Sequence, residues 1–592
     1  MNIDERVNRL RNLMKSKGIT AYIIPTADPH QSEYVADYYK TRAWISGFTG
    51  SAGTVVITSD SANLWVDGRY YIQAENQIKD TEYKLFKLGL AGVPNYIQWL
   101  KDNLKDGDVV GFDGRVFSQS TFEKLEKEFS HLDIDYVDEY DLVGEIWHDR
   151  PALLKEKAFV HHVKYTGFST KEKLAQVREY MREELIDYLL IGSLDDIAWL
   201  YNIRGRDVKG NPVIISYALI SQKEAYLFVD RDKINSEVGD HLKNNGVTLK
   251  SYEEVKDYVR GLESKSKVAL EKKKINRWLY KSIPGSCRIV DEINYTTLLK
   301  AKKNETEIAN QKNAYIKDGV ALTKFLYWLD RNIGKMEITE LTAADKLLKF
   351  RQEQDLFIEP SFDTISAYGP NAAMAHYKAT EDSYSVLKPR GFYLVDSGGQ
   401  YLDGTTDITR TVAVGPLSQE EKRDFTLTLK AHINLISAKF LEGTNGYQLD
   451  ILCRQPLWKE GLDFKHGTGH GVGHLLNVHE GPHRIGAVPN DIELEKGMVT
   501  SIEPGVYKEG KYGIRIENIV VVEEDMETDF GKFLKFDVLS YVPIDLDAID
   551  EDLLTAEEKE WLNTYHREVY NKLSPYLNEE EKGWLRDKTR EI

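Results

Sequence analysis

The chain has 592 residues, 41% hydrophobic and 29% charged, with a formal net charge of −17. That length exceeds what one hydrophobic core organises, so about two to four domains are expected. The acidic balance repels phosphate backbones and argues against a nucleic-acid partner. Two distant cysteines, Cys287 and Cys453, exclude a disulfide framework and suit a reducing compartment. No run of about 18 apolar residues offers a membrane span. The opening MNIDERVNRLRNLMKSKG is charged and amphipathic, unlike a signal peptide, so cytoplasm is the expected location.

Residues 4–17 read as a helix, because Val7, Leu10, Leu13 and Met14 share one face and Gly18 stops it. A strand at 20–24, a hairpin-like pair at 54–58 and 62–67, a helix at 93–103 and a strand at 109–112 make an α/β unit. The pattern runs out near Asp149-Arg150-Pro151 and then repeats. A helix pattern at 174–184 leads into Asp187-Tyr-Leu-Leu-Ile, as the first helix leads into Ala21-Tyr-Ile-Ile. Trp199 to Gly205 echoes Trp44 to Gly50, and Leu227 to Asp230 echoes Leu64 to Asp67. Residues 1–155 and 156–302 therefore read as two copies of one domain type. Neither copy holds a cluster of potential ligands; their tryptophans and aspartates read as core and turn residues.

Residues 303–592 form the third part. Long helix patterns at 306–328 and 340–354 would cover an antiparallel sheet. Phe392 to Val395 is an apolar strand bounded by Gly391 and a Ser-Gly-Gly turn, with Asp396 at its mouth. A second strand is expected over 405–414, carrying Asp407. Alone, these two aspartates are equally compatible with turn capping. Three later segments change that balance: HGTGHGVGHLLNVHEGP (466–482), SIEPGVY (501–507) and GIRIEN (513–518). Glu517 falls in an alternating apolar run that reads as strand, and a carboxylate there is costly to bury unless paired or metal-bound. Asp396, Asp407, Glu503 and Glu517 with one imidazole make a hard, anionic donor set suited to a pair of divalent cations of the manganese type. Glycines 467, 469, 471 and 473 oppose a helix between His466 and His470, so only one of the two need be a ligand. GK[ST] is absent, which rejects a phosphate loop. Near the end, Thr555 to Glu558 and Asn578 to Glu581 are capping boxes opening two helices, read as a lid on the sheet or part of a dimer contact.

The phrases LVDSGGQYLDGTTDITRT, HGTGHGVGHLLNVHEGP, SIEPGVY and GIRIEN, in that order, resemble the Xaa-Pro aminopeptidase (aminopeptidase P) family in its long three-domain cytosolic form. The resemblance implies an α/β (α+β) architecture, with two creatinase-N-like α/β domains followed by a pita-bread catalytic domain with a helical extension. It implies a metal-dependent aminopeptidase that removes the first residue from peptides with proline second, through a hydroxide bridging two metal ions, most simply Mn2+. Asp396 would hold one ion, Asp407 and Glu517 would bridge both, and His470 and Glu503 would complete the other. Glu503 would shuttle the proton. His376, in the Ser361-to-Tyr377 segment, and His479 would orient the scissile carbonyl and its oxyanion. Tyr507, Arg515 and, less directly, His466 would face substrate on the proline side. Peptides are the expected partners, with a homodimer as the assembly and no membrane. The alternatives are a prolidase restricted to Xaa-Pro dipeptides, disfavoured by the duplicated amino-terminal part, and a non-catalytic peptide-binding relative, disfavoured by the complete ligand set.

Overall fold

Asn2 opens the first helix, α1 (Ile3–Ser16), with a capping box: its side chain accepts from the Glu5 amide and Glu5 reaches back to the Asn2 amide. Gly18 takes φ +68°, the left-handed conformation that ends such helices. The expected helix at 93–103 begins three residues late, at Tyr96, because Asn95 caps it by accepting from the Ile97 and Gln98 amides. The next long helix, α2 (Thr170–Glu183), starts earlier than expected because Ser169 and Glu172 form a capping box ahead of it.

The computed structural model describes residues 1–592. Residues 1–163 and 168–298 form one unit, and residues 164–167 with 299–592 form another. The first unit contains two six-stranded sheets. Strands β1 (Ala21–Pro25), β2 (Thr54–Thr58), β3 (Ala62–Val66), β4 (Lys84–Lys87), β5 (Val109–Phe112) and β6 (Asp135–Val137) lie in the order β4-β3-β2-β1-β5-β6. Strands β7 (Tyr188–Ile191), β8 (Ser216–Ser221), β9 (Ala225–Val229), β10 (Thr248–Ser251), β11 (Lys267–Leu270) and β12 (Arg288–Asp291) lie in the order β10-β9-β8-β7-β11-β12. Position by position the order is the same, and so are the directions: the central hairpins are antiparallel and the outer pairs parallel. Both faces of the first sheet are covered. Tyr22 and Ile24 enter one apolar cluster while Ala21 and Ile23 enter the other, the period-2 alternation of a strand buried on both sides.

In the second unit every strand pair is antiparallel. Helices α3 (Glu305–Asn332), α4 (Glu340–Gln352), α5 (Gln419–Ile436) and α7 (Ala556–Leu573) bury apolar residues in the main core, while α6 (Gly446–Trp458) packs with α5 in a second cluster. Both C-terminal capping boxes form, and α7 and α8 (Glu579–Lys588) begin where they predict. The expected strand at 405–414 is broken. Gly404–Thr405 pairs with Gln400 and Tyr401 in one sheet, whereas β15 (Ile408–Ala413) pairs with β14 (Phe392–Ser397) in another, whose third strand is β13 (Ile365–Tyr368). The cause is close approach: a side chain at Gly398 would sit 1.8 Å from the Thr406 carbonyl oxygen, so the two backbones touch there and the ladder is interrupted. The run through Glu517 breaks in the same way, between Tyr512–Arg515 and Asn518–Thr528.

Asp318 on α3 and Arg351 on α4 form a two-point ion pair at 2.7 and 2.9 Å, and Tyr401 donates to the same carboxylate at 2.9 Å. Both charges are at most 2% exposed. Replacing Asp318 with Asn strands a buried guanidinium, and we expect a loss of about 3–5 kcal/mol in the denaturant-induced unfolding of this unit. A loss under about 1 kcal/mol would show the pair to be dispensable.

Candidate active site

Each carboxylate is delivered by a strand or a strand break. Asp396 lies in β14, opposite Thr409 of β15. Asp407 occupies the break just before β15. Glu503 lies between β17 (Val499–Ile502) and β18 (Gly505–Lys508) and precedes Pro504, whose missing N–H cannot continue the ladder. Glu517 occupies the break between β19 (Tyr512–Arg515) and β20 (Asn518–Thr528). His470 sits at the centre of β16 (Gly469–Gly471), its amide donating to Ser501 Oγ at 3.0 Å. The glycines here serve backbone contact. A side chain at Gly469 would lie 2.0 Å from the Ser501 carbonyl oxygen, so the segment runs extended, as expected.

These elements bring the side chains together. Ligand atoms of Asp396, Asp407 and Glu517 lie within 4.8 Å of one another, as do those of His470, Glu503 and Glu517. The two groups share Glu517. His470 Nε2 is 3.6 Å from Asp407 Oδ2 and 3.5 Å from Glu503 Oε1. His479, in the bend before Glu480–Ile485, joins Asp407 and His470 in a third such group, its ring 4.3 Å from that of His470. Arg515 donates to Asp396 Oδ2 at 2.6 Å, to Tyr507 Oη at 2.7 Å and to Thr409 Oγ1 at 3.2 Å. Tyr507 Oη in turn lies 2.7 Å from His466 Nε2. His376 lies half-buried in the turn after Gly369–Ala373, outside the three groups of converging ligand atoms. His474 contacts Gln311 and the Tyr165 carbonyl and belongs to none of the three groups.

A family model described as metallopeptidase family M24 matches residues 309–524, and one for its C-terminal region matches 532–592. Models of the creatinase/prolidase N-terminal domain match twice, at 6–141 and 149–307. A probable Xaa-Pro aminopeptidase P of Neurospora crassa is 42% identical, covering 98% of this chain and 87% of the relative. Aminopeptidase P2 of Arabidopsis thaliana is 40% identical over 100% of this chain and 89% of its own. The X-prolyl aminopeptidase of Caenorhabditis elegans, described as a cytosolic enzyme with a di-nuclear active site, superposes with a TM-score of 0.96 at 37% identity, over the full length of both chains. The chain belongs to the Xaa-Pro aminopeptidase group of metallopeptidase family M24. Its fold is accordingly that of a pita-bread metallopeptidase preceded by two creatinase-type domains.

The charge in this M24 site is unbalanced. Burial first, then Glu517, Asp396 and Glu503, push the Asp407 carboxyl well above its ordinary range. Burial likewise raises Glu503, to about 7, and Glu517, with Asp396 adding repulsion to both. Asp396 Oδ1 is buried without a hydrogen-bond partner. A buried orphan oxygen beside three carboxyls that resist ionising fits a hard divalent-cation site, because bound cations restore the ionised forms.

Two contacts were missed from the sequence. Thr409 donates to Glu517 Oε2 at 2.8 Å, and Ser501 donates to Glu503 Oε1 at 3.2 Å while accepting from His470. Ser501 lies two residues before its carboxylate, and a hydroxyl at that spacing was the available signal. In metal-stripped protein, Glu503 is neutral in both folded and unfolded states well below pH 4.5; between about 4.5 and about 7 the unfolded state ionises first, so the penalty on the fold builds across that window and is constant above it. Glu503→Gln should therefore unfold at a higher temperature than stripped wild type above pH 7, the gap closing as pH falls toward 4.5. Thermal scans in chelator test this; a gap independent of pH would refute the repulsion account.

Proposed function

We propose that the chain removes the first residue from peptides with proline in second position, Xaa-Pro-Yaa, using two divalent cations of which manganese is our choice. The observation that carries this reading is the full-length likeness to Xaa-Pro aminopeptidases together with the convergence of Asp396, Asp407, His470, Glu503 and Glu517. In it, Asp396 would hold one ion, Asp407 and Glu517 would serve both, and His470 and Glu503 would complete the second. The sharing of Glu517 between two groups of ligand atoms supports that division. When bound, such ions supply Lewis acidity and lower the pKa of water from about 15.7 toward 7.

The chain's own residues do the rest. Glu503 accepts the proton released by the attacking water and delivers it to the departing proline nitrogen. His479, beside His470, and His376 orient the scissile carbonyl and donate to its developing oxyanion. Arg515 holds Asp396 and, through Tyr507, His466, so that one rigid line of hydrogen bonds runs from the metal side toward the proline side. Proline brings no N–H, so that side selects ring shape through Tyr507 and His466 rather than through a donor.

We also propose a division into residues 1–155, 156–302 and 303–592, a cytoplasmic location and a homodimer. The location follows the Caenorhabditis elegans enzyme's description. For the dimer, Tyr447, Ile451 and Trp458 stand on one face of α6 and are 44–52% exposed, an apolar surface suited to a second copy.

Manganese-loaded protein should release the first residue from Xaa-Pro-Yaa and not from Xaa-Ala-Yaa, and chelation should abolish the activity. Glu503→Gln should lower kcat by at least about 10²-fold. Preference for Xaa-Pro dipeptides over tripeptides would reassign the chain to the prolidases.

A further inference from the structure

Glu517 lies outside every strand ladder, between β19 and β20, so its backbone needs other partners. Its N–H reaches the Thr409 carbonyl at 3.2 Å. Its own carbonyl accepts from Arg410 Nη1 at 2.5 Å. The next side chain, Asn518, accepts through Oδ1 from Arg410 Nη2 at 2.8 Å and from Ser540 Oγ at 3.1 Å, and its amide nitrogen meets His432 Nε2 at 3.2 Å. Arg410 therefore fixes the peptide on the far side of Glu517.

Arg410 is 1% exposed and forms no ion pair. Its N–H groups go to the carbonyls of Thr409, Glu517, Val542 and Pro543, to Asn518, and to Tyr565 Oη at 2.7 Å. Burial disfavours the guanidinium charge, while the Tyr565 oxygen and the Glu517 carboxylate favour it. A buried cation held only by neutral acceptors is expensive, unless the anionic cluster in front of it serves as its counter-charge. Tyr565 belongs to α7, in the stretch matched by the model of the C-terminal region. Its hydroxyl also accepts from the Val542 amide at 3.2 Å and lies 2.9 Å from the Val542 carbonyl, and its ring stacks on Trp561 at 5.4 Å. A simple lid would present apolar groups here. This helix presents a phenol to a buried cation.

We infer that the C-terminal region is part of the scaffold of the metal centre, with Tyr565 acting as a positioning residue for Glu517 through Arg410 and Asn518. The inference rests on Glu517 being a shared ligand, as proposed above. Removing the hydroxyl leaves Arg410 Nη2 short of one acceptor and frees the fork to reorient. The loss reaches Glu517 through its carbonyl and Asn518.

The test is calorimetric titration of metal-stripped, full-length protein with manganese(II) chloride, paired with tripeptide kinetics. Tyr565→Phe should bind manganese about tenfold more weakly than wild type, with a lower kcat and KM within about twofold. Trp561→Leu disturbs the same helix and the stacking on Tyr565 and His432 while removing no hydrogen bond of the polar network. It should lower the thermal midpoint yet keep manganese affinity within about twofold. Wild-type affinity in Tyr565→Phe, or equal weakening in Trp561→Leu, would overturn the inference and leave a merely structural helix. A wild-type protein that binds no pair of manganese ions would overturn the ligand assignment itself.

Discussion

Four carboxyl groups are forced into one buried volume with a single guanidinium, Arg515, among them. Left alone, the group answers by holding protons, and Glu503 and Asp407 are raised for that reason. The surrounding architecture keeps the repelling groups from spreading apart. Asp396 is locked in a paired strand and tied to Arg515, Glu517 is gripped by Thr409 from the front and Arg410 from behind, and Glu503 is braced by Ser501. The site is prearranged for cations because the fold pays in advance for their absence.

Three of the four carboxylates occupy places where the chain leaves one sheet for another. Asp407 separates a strand paired with Gln400 from one paired with Ser397, Glu503 separates the six-stranded sheet from a two-stranded one, and Glu517 marks the return. A residue inside a ladder projects perpendicular to its sheet, at a spacing set by its neighbours. At a switch, the side chain is freed from that alternation and several sheets can aim at one point. Gly398 and Pro504 produce two of the switches, one by permitting backbone contact and the other by withholding a donor.

The cluster was legible in the sequence because residue type and order carry it: each of the five chosen positions lies in it. The duplicated amino-terminal topology was legible from recurring apolar phrases. The strand breaks were legible only in part. At Glu517 the apolar run through Ile514, Ile516 and Ile519 continues across the break, since all three are fully buried on either side of the switch. Periodicity records burial and is blind to which sheet does the burying. Arg515 was placed at the site only through the family resemblance, because a guanidinium's partners lie far off in the chain. Arg410 drew no notice for the same reason, its contacts coming from Val542, Pro543 and Tyr565.

The repeated sheets carry a consequence for how the chain reaches its native state. Two copies of one topology in tandem invite strand exchange while both are incomplete. The outermost strands are where such an exchange would begin, since they alone offer unpaired backbone. Here β4, β6, β10 and β12 are each only three or four residues long, and each carries charge: Lys84 and Lys87, Asp135, Lys250, and Arg288 with Asp291. Short charged margins make poor templates for a neighbour's strand, so the duplication can persist without the copies misassembling into each other.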